Sequence, residues 1–253
     1  MTVKLIIADV DGCLCPEESI AWDLEKFTEL AKYVRDGSHG PFTPAPMTLC
    51  TGRPQPYVEV LMKILDIRVP AICENGAVIY TLHANRARYS PGVTKEGILR
   101  LRELRTMIEN EILSEHPEAV IQFGKEAQIS VFSENTSLFP EIRSQVEDFV
   151  RRRQGPDIEI SMSHYYINIS LKEVDKGRAI ERLLKELGLA RDQVAGVGDT
   201  EGDLPLRNAV GFFACPANSR EGVKSVADYV SPYPDIKGML DILHRPELRR
   251  RGR

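Results

Sequence analysis

The chain has 253 residues, 42% hydrophobic and 28% charged, the mix of a globular protein with room for one large domain or a core carrying a smaller inserted one. Lys and Arg number 33 against 37 Asp and Glu, and the formal net charge of −4 argues against a basic nucleic-acid-binding surface. No apolar run approaches the ~20 residues that span a bilayer, so no membrane partner is expected. The N-terminal MTVKLIIADVDG turns acidic too soon for a secretory signal. The cysteines (Cys13, Cys15, Cys50, Cys73, Cys215) are odd in number and form no CxxC pair, which fits reduced thiols in a cytoplasmic protein better than a disulfide framework or a zinc site. The basic run Arg249 to Arg253 reads as a solvated tail.

Val3 to Ala8 is short and nearly all apolar, as a strand covered on both faces of a parallel sheet requires, and polar residues begin abruptly at Asp9. A helix is predicted next, capped by Ser19, with Leu24, Phe27, Leu30, Ala31 and Val34 at helical spacing until Gly37 stops it. HGPFTPAP (39–46) is a proline-rich connector. Met47 to Cys50 reads as a second strand ending at Thr51, and Pro54 and Pro56 suit the first turn of a helix carrying Val58, Leu61, Met62 and Leu65. Ala71 to Cys73 and Ala77 to Tyr80 read as strands around a turn at Asn75-Gly76.

After Tyr80 the pattern changes. HANRARYSPG is polar; a long helix follows through Ile98, Leu101, Leu104, Ile108 and Ile112, then strands at Val120–Phe123 and Ile129–Phe132. A second helix (Leu138, Ile142, Val146, Phe149) precedes strands at Ile158–Met162 and Tyr166–Leu171. Helix–strand–strand, twice over, predicts a small α+β unit with an antiparallel sheet. From Lys176 the alternation resumes, with a helix through Ala179, Ile180, Leu183 and Leu187, strands at Val194–Val197 and Phe212–Cys215, and a last helix over Ile236 to Leu243. The expected fold class is therefore α/β: a doubly wound, Rossmann-like parallel-sheet core (residues 1–82 and 173–253) with an inserted α+β cap domain (83–172).

Ligands of an open parallel sheet bind beyond the carboxyl ends of its strands. Asp9 and Asp11 follow the first predicted strand, Thr51 the second, Asp199 and Asp203 a later one, and Lys176 opens the helix after the insertion. Carboxylates brought together repel and raise one another's pKa unless a cation neutralises them, and an all-oxygen set of this kind suits Mg²⁺. With Thr51, Lys176 and loop amides nearby, a phosphate monoester is the natural occupant: Mg²⁺ and lysine offset charge on its oxygens while a carboxylate attacks in line.

DVDGCL (9–14), TGR (51–53), Lys176 in VDKGRAI and GDTEGD (198–203) resemble, in order and across nearly the whole chain, the four motifs of the haloacid dehalogenase superfamily in its phosphatase branch. The insertion between the second and third motifs, with ENGAVIY (74–80) before it, resembles the type IIB cap of the Cof-like sugar phosphatases. That group also holds sucrose-phosphate, trehalose-phosphate and mannosyl-phosphoglycerate phosphatases, archaeal-type phosphoglycolate phosphatases and the eukaryotic phosphomannomutases.

The resemblance implies a Mg²⁺-dependent phosphomonoesterase acting on a small phosphorylated metabolite, a sugar phosphate or a phosphoglycolate-like acid. It makes Asp9 the nucleophile that becomes an aspartyl-phosphate, and Asp11 the group that protonates the leaving alcohol and then activates water. Gly12, Thr51, Gly52 and Lys176 would hold the phosphate. Asp9, Asp11 (through its carbonyl), Asp199 and Asp203 would form the metal site, with Asp203 either a ligand or an outer partner of Lys176. Two departures stand out: Gly202 replaces the Asn that many relatives carry before the second Asp, and Cys13, read as a packing residue, replaces the commoner Thr. Arg53 is placed to reach phosphate or to form an ion pair, and Asn75 to reach substrate. On the cap, Gln122, Lys125, Gln128, His164, Tyr165, Tyr166 and Asn168 are the candidates for the leaving group, and their polarity suits a hydroxylated one. A phosphomutase is the alternative, and a non-catalytic phospholigand-binding domain a more remote one. The protein is expected to be a monomer or a homodimer.

Overall fold

An apolar run long enough for one strand and too short for a helix opens the chain. In the computed structural model, which describes residues 2–16, 20–37, 45–153, 155–162 and 165–248, it forms β1 (Leu5–Ala8), buried at every position. There follow α1 (Leu24–Gly37), β2 (Met47–Leu49), α2 (Gln55–Leu65), β3 (Ala71–Cys73), β4 (Val78–Thr81) and β5 (Arg86–Tyr89). Next come α3 (Lys95–Met107), β6 (Val120–Ile121), β7 (Gln128–Phe132), α4 (Phe139–Arg153), β8 (Ile158–Met162) and β9 (Tyr166–Leu171). The chain ends with α5 (Lys176–Leu187), β10 (Val194–Val197), α6 (Leu204–Ala209), β11 (Phe212–Cys215), α7 (Glu221–Lys224), β12 (Tyr229–Val230) and α8 (Asp235–Leu243).

These elements divide into two compact units, Met1–Arg88 with Asp175–Arg253, and Tyr89–Val174. The core of the first is a five-stranded sheet in the order β12-β11-β10-β1-β2, parallel throughout. Because β1 has β2 on one side and β10 on the other, the order reverses between β1 and β10, the topological switch point where such sheets bind ligands. The register aligns Ala8 with both Val197 and Leu49, so the residues that follow these three strands emerge on one edge. Helix α5 turns Ala179, Ile180, Leu183 and Leu184 into a core shared with Leu5, Ile7, Leu206 and Phe213. The β3–β4–β5 sheet adjoins this core, and β3 pairs antiparallel with β4.

The second unit is an antiparallel sheet ordered β6-β7-β9-β8 with two helices. Ile129, Val131, Ile167 and Ile169 are buried, as are Ile98, Leu101 and Leu104 of α3 and Ile142 and Val146 of α4. Gln128, Ser130, Asn168 and Ser170 alternate with the apolar strand positions and therefore occupy the opposite face.

Several boundaries differ from expectation, each for a local reason. Helix α1 begins at Leu24 and is capped by Asp23, whose carboxylate accepts the Lys26 N–H at 3.1 Å; Ser19 lies outside the described residues, as do Arg249 to Arg253, His164 and most of the proline-rich 39–46 stretch. The long helix of the second unit leaves α geometry at Met107 and continues as a π-helical turn over Ile108–Ile112. Strands β5 and β12 and the short helices α6 and α7 were not expected: β5 is the charged, exposed RARY, and β12 has two residues. Among the described residues no helix is long and apolar enough to cross a membrane. Phe213 is fully buried on an interior strand of the core sheet, so Phe213→Ala should cost about 3–5 kcal/mol. Urea denaturation would show this as a lower midpoint at unchanged slope, and an unchanged midpoint would contradict the packing described.

Candidate active site

Three loops leave the carboxyl edge of the sheet at the switch point and its flank. The first, 9–15, is wound tightly on the Val10 carbonyl, which accepts the N–H groups of Cys13 (3.2 Å), Leu14 (2.7 Å) and Cys15 (3.2 Å). Gly12 sits in the left-handed region at φ +74°, and a Cβ there would lie 2.0 Å from Asp199 Oδ2. Both the backbone conformation and the approach of Asp199, in the loop after β10, require glycine.

Asp9 and Asp199 follow β1 and β10 directly, and Asp203 lies in the turn before α6. One carboxylate oxygen from each of Asp9, Asp199 and Asp203 lies within 4.8 Å of the others, and all three residues are buried. Lys176, the first residue of α5, is buried too: its Nζ donates to Asp9 Oδ1 at 3.1 Å and to Asp203 Oδ1 at 2.7 Å. The other Asp203 oxygen accepts the backbone N–H groups of Asp199 (3.0 Å) and Thr200 (3.2 Å). Asp203 therefore ties the lysine to the Asp199 loop. The start of α5 is fixed by Asp175, whose side chain accepts the Arg178 N–H, and by Gly76 (φ +107°), where a Cβ would meet the Asp175 carbonyl at 2.3 Å.

Burial pushes the Asp9 carboxyl up to about 7, the Asp203 carboxylate pushes the same way, and Lys176 opposes them. For Lys176, burial works to lower the pKa, but the Asp203 and Asp9 carboxylates prevail and hold it well above the ordinary lysine range. With all three carboxylates ionised, the cluster and its one ammonium carry a net charge of −2, which one divalent cation would offset. The donors are all oxygen, so the cluster fits Mg²⁺ and not a thiolate- or imidazole-seeking metal.

The Asp11 carboxylate stands apart from this cluster. It is gripped by the Arg53 guanidinium, whose Nε donates to both carboxylate oxygens (3.0 and 2.8 Å) and whose NH2 group donates to Oδ1. Arg53 lies over the Tyr57 ring at 5.0 Å. Burial, with the Asp11 carboxylate next to it, pushes the Cys15 thiol up, so Cys15 stays protonated and its sulfur donates to the Val10 carbonyl and towards Asp11 Oδ1. Cys13 is fully buried, the packing role expected of it. Thr51 is completely buried; its Oγ1 accepts the Arg53 N–H at 3.2 Å and its carbonyl accepts the Asn75 N–H at 3.0 Å. The Asn75 side chain lies against Gly52, and Asn75 itself adopts φ +53°. Asp9, Asp199, Asp203 and Lys176 thus converge directly, while Asp11, Thr51, Gly52, Arg53 and Asn75 form an adjoining wall.

The remaining candidates lie in the second unit. Lys125 is buried, with Nζ donating to Gln128 Oε1 (3.1 Å) and Ser130 Oγ (2.6 Å); Ser130 Oγ donates to Asn168 Oδ1, and Gln128 Nε2 donates to Ser170 Oγ. Tyr166 and Tyr165 both tilt against Phe132, and the Gln122 N–H pairs with the Ser130 carbonyl. Asn218, which is not among the residues expected from the sequence, reaches the first loop of the core by donating to the Gly12 carbonyl at 2.9 Å. Nothing in PANS (216–219) sets that asparagine apart from an ordinary turn residue.

The fold and this site define a doubly wound α/β enzyme with its acidic centre at the switch point. A family model described as haloacid dehalogenase-like hydrolase matches residues 6–154 and 109–243, and the chain belongs to that family. It is 25% identical over 240 residues to a phosphoglycolate phosphatase of Archaeoglobus fulgidus, covering 95% of each chain. Over 232 residues it is 24% identical to a phosphoglycolate phosphatase of Thermoplasma volcanium, covering 91% of this chain and 92% of the relative. In fold it is similar to the crystal structure of a Thermoplasma acidophilum protein (TM-score 0.73, 21% identity, 96% of this chain and 97% of the other). It is also similar to a haloacid dehalogenase-like hydrolase of Bacteroides thetaiotaomicron (TM-score 0.70, 20% identity, 96% and 99%).

The Asp9 shift carries a pH dependence. Its folded pKa of about 7 lies above the ordinary 3.8, so between those values the folded state holds more protons than the unfolded one, and this group's contribution makes stability fall as pH rises. In metal-free protein, Asp9→Asn should therefore melt about 5 °C above wild type at pH 8, with the gap closing towards pH 4. Thermal melts at the two pH values check it, and a pH-independent gap would contradict it.

Proposed function

We propose that this chain hydrolyses the phosphate monoester of a small hydroxy acid of the phosphoglycolate type through an aspartyl-phosphate on Asp9, with Mg²⁺ held by Asp9, Asp199, Asp203 and the carbonyl of Asp11. That the chain is a phosphatase follows from its family and its full-length relatives. The finer reading is carried by one observation: a buried carboxylate at the switch point faces a buried lysine and two further carboxylates.

Mg²⁺, when bound, would offset the charge of the phosphoryl oxygens and of the site itself. Lys176 places a fixed positive charge beside Asp9 without leaving Asp203. Asp9 attacks phosphorus, the bond from phosphorus to the leaving oxygen breaks, and Asp11 gives that oxygen its proton. Water then attacks the aspartyl-phosphate, its proton passes to Asp11, and Asp9 is regenerated as inorganic phosphate leaves. Arg53 holds Asp11 by a fork of hydrogen bonds, which fixes the direction of the acid–base group. Thr51, Gly12 and Gly52 are the remaining phosphate contacts in this reading. Within the broader class of sugar phosphates and phosphorylated acids, the relatives named phosphoglycolate phosphatase favour the acid.

Phosphate release should be fastest with phosphoglycolate in a panel of phosphorylated metabolites, require Mg²⁺ and stop on addition of EDTA. Asp9→Asn should lower turnover by about 10⁴-fold, as loss of a nucleophile does. Arg53→Ala, which removes the fork that holds Asp11, should lower kcat by roughly 10- to 100-fold. Release that survives EDTA, or that persists in Asp9→Asn, would contradict the proposal.

A further inference from the structure

The segment Pro216 to Arg220, between β11 and α7, is stitched to three parts of the core. The Arg220 N–H donates to the Asp199 carbonyl at 2.9 Å, and the Ala217 N–H donates to the Tyr233 carbonyl at 2.8 Å. Between them, Asn218 makes two side-chain bonds: Oδ1 accepts the Asp235 N–H at 2.8 Å, at the start of α8, and Nδ2 donates to the Gly12 carbonyl at 2.9 Å. The amide orientation is fixed chemically, since an N–H can only donate and a carbonyl can only accept. One five-residue segment thus holds the backbone of Asp199 and, two residues away, the backbone of the Asp9 loop. These are the two loops that approach so closely at Gly12 that a Cβ would overlap the Asp199 carboxylate.

We infer that Asn218 is a positioning residue for the metal site: it sets the spacing between the Asp9–Gly12 loop and Asp199, and so the arrangement of the oxygens that receive the cation. The inference rests on the reading that this cluster takes Mg²⁺. Asn218 touches neither the carboxylates nor Lys176 and acts through the Gly12 carbonyl. The residue is solvent-exposed, so replacing it opens no buried cavity and leaves global stability nearly unchanged.

The test is calorimetric titration of Mg²⁺ into metal-free wild type, Asn218→Ala and Asn218→Leu, with metal-free melting temperatures measured alongside. Leucine keeps the side-chain volume and loses both hydrogen bonds. Both variants should melt within a few degrees of wild type and bind Mg²⁺ about fivefold more weakly, the factor given by about 1 kcal/mol from one net hydrogen bond. Wild-type Mg²⁺ affinity in both variants, whatever their melting temperatures, would overturn the positioning role. A wild type that binds no Mg²⁺ would overturn the metal reading itself, and the inference with it.

Discussion

The structure turns on a buried ammonium. Lys176 lies between Asp9 and Asp203, almost out of water, and a lone charge in that position would be strongly disfavoured. It persists because two carboxylates face it, and they are themselves tolerable only because it is there. Removing the lysine would leave two buried carboxylates with no cation between them. The constraint explains why α5 must start where it does, why Asp175 caps it, and why the turn at Glu74–Gly76 needs a glycine to pass so close to Asp175.

The same charges define what the site can hold. Lys176 neutralises only part of the acidic cluster, and burial raises the Asp9 carboxyl instead of letting it ionise freely. A divalent cation would complete the balance and lower that pKa, as the nucleophilic role proposed for Asp9 requires. Asp11 is handled differently. Its carboxylate is kept out of the cluster and bound to Arg53, so the two carboxylates of one short loop stand in different electrostatic surroundings.

Much of this was legible in the sequence. Leu5–Ala8 and Val194–Val197 are apolar throughout because both faces of a parallel sheet are covered, and Asp9 and Asp199 stand where those runs stop. The order of the four motifs placed Lys176, although a lysine opening a helix is ordinarily solvated. What could not be read depends on contacts between segments far apart in the chain. Arg53 allowed two readings until the Asp11 carboxylate was found in its fork. Asn218 looks like any turn residue until Gly12, 206 positions earlier, is brought beneath it. Strand β5 was invisible because its residues are polar and exposed, and it forms by pairing at a sheet edge, not by burying a face. The α1 start was misplaced because Ser19 and Asp23 carry the same capping chemistry, and Asp23 stands next to the first helical turn.

The covalent bond proposed between Asp9 and phosphorus leaves a chemical trace. It is tested most directly by acid-quenching the protein during turnover of phosphoglycolate with Mg²⁺, digesting it, and locating phosphate by mass spectrometry. Phosphate is expected on the peptide that contains Asp9, released by hydroxylamine as an acyl phosphate must be. Phosphate on another side chain, or turnover in which no peptide carries phosphate at any quench time, would contradict it.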